Sequence, residues 1–308
     1  MSLFAAFQSA ARLRARRSLG LAAGALASVA LLTGAAQAAP AAGGPALWVV
    51  KDRDSTIYLF GTVHVLRPEL QWRSAKIDKA LASADELILE INDVDDQAAM
   101  TGLIQRYGLD LKTPLSSLLS DAEKARLGEV AKDLGLPVAA FDAMKPWLAG
   151  LQISVAPLLK AGYDPKAGVE ILLKAEAQKA GKPVGQLETS EQQIRFFDGM
   201  PREAQLAYLR QSLKDYDRTV PMLDGLAASW AKGDVRAIER DMVRDMRRES
   251  PDLYKLLLTD RNTDWARQIK AKLKGKGVTF IAVGAAHLAG PDSVQVQLRR
   301  LGVQVRRR

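Results

Sequence analysis

Two histidines occur in the 308 residues, and both sit in the same local pattern. His64 stands three residues after Gly61 in F-G-T-V-H-V-L, and His287 three after Gly284 in V-G-A-A-H-L. Glycine makes up about 7% of residues, so two histidines sharing this spacing by chance is roughly a 0.5% event. A short apolar run precedes each glycine, which places both imidazoles just past the ends of strands. Two imidazoles suit either a divalent metal or an acid–base pair. With no third histidine, no cysteine and no H-E-x-x-H, any metal also needs carboxylate ligands.

The carboxylate best placed for that role is Glu90, at the end of the apolar run E-L-I-L-E-I over residues 86–91. A glutamate in such a run is rarely buried without a partner; the plain alternative is an edge residue reaching water. Glu188 follows a β-like run, and Glu170 opens a helix after Gly168. Arg261, followed by Asn262, begins a helix whose Trp265 and Ile269 face inward. Its guanidinium can clamp an oxyanion or form an ordinary salt bridge. Asp292 is explained as the N-cap of the last helix. Gly61 is expected to refuse any side chain and Thr62 to be dispensable.

The elements that must carry these residues follow from periodicity. Residues 47–51 and 56–60 are β-rich and separated by Asp52-Arg53-Asp54, a hairpin signal. Residues 73–84 have helical spacing, and 86–91 form a buried strand, so strand, helix and strand predict a parallel pair. From about 95 to 260 the pattern is almost wholly helical, with a capping box at Ser120–Glu123 and a short strand over 182–187. Residues 278–283, 292–301 and 303–307 return to strand, helix and strand. The expected fold is α/β (α+β): a core sheet built from both termini, with a large helical insertion. Ligands in such sheets bind at the carboxyl ends of strands, where both histidines fall.

The first 38 residues are set aside as a secretory signal peptide. Arg12, Arg14, Arg16 and Arg17 form its basic region, residues 19–32 its apolar core, and Ala36-Gln37-Ala38 a cleavage site before Ala39. Residues 39–308 then form one domain, expected in the periplasm or outside the cell. Removing the four arginines leaves a net charge reduced from +9 but still basic. No aromatic–basic interleaving of the kind that stacks bases is present, which argues against nucleic acid. The basic face fits association with an anionic envelope surface. Without cysteine there is no disulfide framework, so stability rests on packing.

At these residues the chain resembles the TraB/GumN family, related to the TIKI proteases of animals. The resemblance rests on the ordered set F-G-T-V-H-V-L, L-I-L-E, K-P-W, G-Y-D-P-K-A-G-V-E, Q-L-E-T, D-R-N-x-D-W-A and V-G-A-A-H-L-A-G. It implies a TIKI- and erythromycin-esterase-like core with both Gly-x-x-His motifs in one site. It also implies a peptide or protein substrate and a divalent ion, Mn²⁺ or Co²⁺ ahead of Zn²⁺. Carried onto this chain, the ligands would be His64, Glu90 and His287, while Glu188 and Arg261 match motif positions. The first reading is then an exported metal-dependent hydrolase, a peptidase, in which Glu188 acts as general base and Arg261 stabilises the oxyanion. Two other readings stand beside it. One is a metal-free esterase-like hydrolase with His64 as base, oriented by Glu90. The other is a non-enzymatic envelope protein that binds a peptide, metal or haem.

Overall fold

The computed structural model describes residues 43–93 and 96–308. The signal peptide expected over residues 1–38, and its cleavage before Ala39, lie outside the described residues. The chain opens with β1 (Leu47–Lys51) and β2 (Ser55–Thr62), an antiparallel hairpin. Asp52 closes its turn by accepting the backbone N–H groups of Asp54 and Ser55 at 3.2 and 2.8 Å. Helix α1 (Ala75–Ser83) then buries Ile77, Ala80 and Leu81, the stripe its spacing predicts, and β3 (Glu86–Leu89) follows.

The middle of the chain is helical apart from one short strand. It runs through α2 (Gln97–Tyr107), α3 (Asp121–Asp133), α4 (Pro146–Lys160) and α5 (Val169–Lys179), then β4 (Val184–Gln186). Next come α6 (Ser190–Asp198), α7 (Arg202–Asp215) and α8 (Thr219–Ala231). The capping box at Ser120 and Glu123 is present, and Pro146 opens α4. The following helices are interrupted by π-helical turns at Glu239–Val243 and Lys255–Thr259, the second leading straight into α9 (Asp260–Leu273). The chain closes with β5 (Gly277–Gly284), α10 (Val294–Arg300) and β6 (Val305–Arg307). Asp292 does not cap α10: Ser293 holds that position, while Asp292 accepts hydrogen bonds from Tyr254 and Arg300.

One six-stranded mixed sheet, in the order β4-β3-β5-β2-β1-β6, organises the molecule as an α/β fold. Strands β2 and β3 run parallel, but they do not form the pair that the strand–helix–strand pattern predicts: β5 lies between them and pairs with each. Helix α1 therefore crosses over a strand that the chain adds almost two hundred residues later. The register sets Gly61 opposite Val283 and Thr62 opposite Gly284, so both Gly-x-x-His motifs leave the same edge of adjacent parallel strands.

Alternation along the strands explains why their sequences are apolar throughout. Tyr58 and Phe60 pack on one face with Leu87, Leu89, Phe280 and α1, while Ile57 and Leu59 pack on the other with Trp265 and Ile269. Both faces are covered, as parallel strands require. The helical middle adds small cores of its own, one around Phe141, Leu127 and Leu209 and one around Trp147 and Ile194.

Candidate functional site

The two glycines make room for each other's motifs. A Cβ on Gly61 would lie 3.1 Å from Cα of Ala285, the residue after the second glycine. A Cβ on Gly284 would lie 3.3 Å from His64 Nε2, 3.2 Å from Glu90 Oε1 and 3.6 Å from His287 Cδ2. His64, Glu90 and His287 thus converge on the bare backbone of Gly284. Trp230 of α8 fixes the first motif by donating its indole N–H to the Gly61 carbonyl at 2.7 Å.

His64 is half exposed, and its Nδ1 lies 2.6 Å from Oε1 of the buried Glu170. Thr62 donates its hydroxyl to the same carboxylate oxygen. The G-Y-D-P-K-A-G-V-E stretch builds this pairing. Its backbone N–H groups at Asp164 and Val169 donate to the carbonyls of Leu66 and Val63 at 2.9 and 3.1 Å, bracketing His64. Gly168 is required there because any Cβ would strike the His64 carbonyl oxygen. Glu170 raises the His64 pKa by its charge, against the opposing effect of burial, and also by accepting its hydrogen bond. Burial pushes Glu170 upward, but His64 and Thr62 outweigh it and hold the carboxyl below its usual range.

The second centre is buried and built around Arg261, at the start of α9. A guanidinium has five N–H donors, and here every one is engaged. Nε donates to Glu188 Oε1 at 2.9 Å, and Nη2 to Glu90 Oε2 and Glu188 Oε2 at 2.8 and 2.9 Å. Nη1 donates to the carbonyl of Leu257 at 3.1 Å and stands 3.1 Å from His287 Nε2. The Leu257 carbonyl belongs to the π-helical turn that precedes α9, a widened turn of the kind often found at functional sites. Gln193 of α6 completes the lattice, its amide donating to Glu90 and Glu188 at 3.1 and 3.3 Å.

His287 is held from both sides. Its Nδ1 lies 2.6 Å from Asn262 Oδ1, so Nδ1 carries the proton and Nε2 offers its lone pair to Arg261. Trp265 packs on the ring, with centroids 4.4 Å apart. Burial first, then the Arg261 charge, push the His287 pKa down to about 3, so the imidazole is neutral. Burial acts to raise the Glu90 pKa, but the Arg261 charge and the Gly284 N–H at 2.7 Å win, and Glu90 is ionised.

All five expected site residues therefore fall in one region, though with different partners from those the sequence suggested. His64 takes Glu170 as its orienting carboxylate in place of Glu90. Glu90 lies beside the end of β5, not beside the His64 strand. Glu188 and Arg261 engage each other, which ties both carboxylate oxygens to a cation and leaves the guanidinium no free donor for an oxyanion. Thr62, Gln193 and Asn262 were missed. The only sequence signals for them were their places beside Gly61, after Q-L-E-T, and next to Arg261.

The donor set does not fit a divalent ion in this arrangement. The Nε2 lone pair of His287 and one oxygen of Glu90 already face a cation, the Arg261 guanidinium, and the other Glu90 oxygen accepts the Gly284 N–H. Among the described residues no group of three or more His, Cys, Asp or Glu is arranged to hold a metal ion.

Fold and site together define an α/β protein with a half-exposed histidine–glutamate pair beside a buried, arginine-centred lattice. The chain belongs to the TraB/PrgY/gumN family, whose model matches residues 46–307. It is similar to the uncharacterized protein YbaP of Escherichia coli (strain K12), 23% identical over 255 residues that cover 83% of this chain and 92% of that one. An uncharacterized protein of Treponema pallidum (strain Nichols) is 22% identical over 261 residues, 80% of this chain and 78% of the relative. No solved structure matches the chain.

Proposed function

We propose that this chain is an exported hydrolase of amide or ester bonds, acting on a peptide or protein with His64 as general base. The observation that carries this reading is the His64–Glu170 pair at 2.6 Å, with Nε2 directed at the bare Gly284 backbone. With Nδ1–H donated to Glu170, Nε2 keeps its lone pair for a water molecule. As the water oxygen bonds to the substrate carbonyl carbon, Nε2 takes its proton, and Glu170 stabilises the imidazolium. The same proton then passes to the leaving nitrogen or oxygen as its bond to carbon breaks. The Arg261 lattice acts by position: it fixes Glu90, and Glu90 holds the Gly284 N–H, which keeps the second motif against His64.

Metal-dependent hydrolysis at His64, Glu90 and His287 would require Arg261 to leave two of the three ligands. The two readings therefore separate by experiment. The test is turnover of mixed peptide and ester libraries, followed by mass spectrometry, for wild type and His64→Ala with a metal chelator present. A loss of about a hundredfold or more is expected, the lower range for a general base. Equal turnover by both proteins would remove the reading. Export is checked separately, by finding Ala39 as the amino terminus of protein recovered from the envelope fraction.

A further inference from the structure

The K-P-W stretch takes no part in the His64 centre, yet Lys145 and Pro146 line a cleft of about 250 Å³ within the helical segment. Asp110, Thr113, Asp198, Arg202 and Gln205 supply its other polar groups, and Leu118, Met144 and Met200 its apolar wall. Helix α6 connects the two places: Gln193 lies on Glu90 and Glu188, and Asp198 ends the same helix.

The charges in the cleft balance without being used up. Lys145 Nζ gives one of its three N–H groups to Asp198 Oδ1 at 2.6 Å. Asp110 accepts the backbone N–H groups of Lys112 and Thr113 at 2.9 and 3.1 Å, and these hold its carboxyl below the usual range. Arg202 is exposed at the start of α7, and its charge acts on Asp110 without a hydrogen bond between them. Gln205 spends its amide N–H groups on the carbonyls of Asp198 and Met200 at 3.3 and 3.0 Å.

Two carboxylates and two cations thus line one small space. A simple anion entering it would meet both carboxylates, and a simple cation would meet Lys145 and Arg202. A molecule carrying both charges a short distance apart can pair with a carboxylate and with a cation at once. The cleft is smaller than the roughly 300–1,000 Å³ of pockets for drug-sized ligands, and methionine walls adapt to apolar side chains. We infer that this cleft binds an apolar zwitterion, a free amino acid or a dipeptide. Its ammonium pairs with Asp110 and its carboxylate with Arg202: among the described residues Asp110 has no side-chain cation bonded to it, and the Arg202 guanidinium makes no hydrogen bond.

The inference stands apart from the hydrolase reading, so binding is measured on the His64→Ala protein by titration calorimetry. The probes are L-methionine, the dipeptide Met-Met, N-acetyl-L-methionine and L-methionine amide. Saturable binding of L-methionine or Met-Met is expected, and which of them binds separates the amino acid from the peptide. Both blocked forms should bind at least tenfold more weakly. Arg202→Ala, which removes an exposed side chain and no hydrogen bond, should also weaken binding at least tenfold with an unchanged Tm. Absence of binding by both zwitterions, equal binding of a blocked form, or wild-type affinity in Arg202→Ala would each overturn the inference.

Discussion

Arg261 stands 3.1 Å from Nε2 of His287 and 2.8 Å from Glu90, so a guanidinium holds the point where a metal ion would find its ligands. Two adjacent cations in a buried site repel strongly, and a bound ion would have to displace the arginine first. Purified mature protein should therefore carry well under one equivalent of manganese, cobalt or zinc by elemental analysis. Turnover should survive dialysis against a chelator. Stoichiometric metal whose removal abolishes turnover would return His64, Glu90 and His287 to the role of ligands.

The convergence on Gly284 gives a sharper steric test. A methyl group there would crowd Glu90 Oε1 and His64 Nε2 at 3.2 and 3.3 Å and touch His287 at an ordinary 3.6 Å; Arg261 holds Glu90 and Glu170 holds His64, so neither gives way freely. Gly284→Ala should cut turnover by tenfold or more while moving the Tm by only a few degrees. Gly225, in helix α8, has nothing within 4 Å of the place a Cβ would take and serves as the control. Gly225→Ala should leave turnover unchanged and add up to about 1 kcal/mol of stability from helix propensity. Equal turnover in the two variants would mean that Gly284 is not at the working centre.

How far the sequence foretold this site depends on which contacts are local. Gly61 with His64 and Gly284 with His287 are each separated by three residues, so the motifs and their strand ends were legible from spacing. Their meeting was also legible, since α/β sheets gather function at one edge. The partners were not. Glu170 reaches His64 from a helix more than a hundred positions away, through backbone bonds between residues 63–66 and 164–169 that no periodicity announces. The order of the strands was likewise hidden, because β5 enters between β2 and β3 from the far end of the chain. Thr62 was expected to be dispensable, yet its hydroxyl donates to Glu170, a contact that exists only once α5 is docked.

Stability should depend on His287 in a defined direction. Its pKa falls to about 3 in the fold, against 6.5 for the unfolded chain, so below pH 6.5 the unfolded state takes up a proton that the fold refuses. Stability from this residue is complete above pH 6.5 and is lost as pH falls, at about 1.4 kcal/mol per unit. His64 has the opposite sign: with its pKa raised, its contribution is complete below 6.5 and is lost as pH rises. The two place the maximum near pH 6.5. Urea unfolding should show a loss of about 2 kcal/mol between pH 6.5 and 5. His287→Gln, less stable throughout, should show a flatter slope. Equal wild-type stability at both values would contradict a neutral buried His287.

The last prediction concerns Glu170, because it separates a base oriented by a carboxylate from a histidine that is merely near one. As a base, His64 works only when unprotonated, and Glu170 raises its pKa above 6.5. The acid limb of turnover should therefore lie above pH 6.5 in the wild type. Glu170→Gln removes the charge that favours the imidazolium but keeps a hydrogen-bonding oxygen for Nδ1–H and the Thr62 hydroxyl. The acid limb should shift down toward pH 6.5. At high pH, kcat should fall by tenfold or more, because the imidazolium formed in the transition state loses its counter-charge, while KM stays nearly constant. Thermal unfolding of the variant checks that the loss is not one of folding. A reduced kcat with an unmoved acid limb would leave Glu170 a structural partner only, and an unchanged kcat would take the pair out of the chemistry.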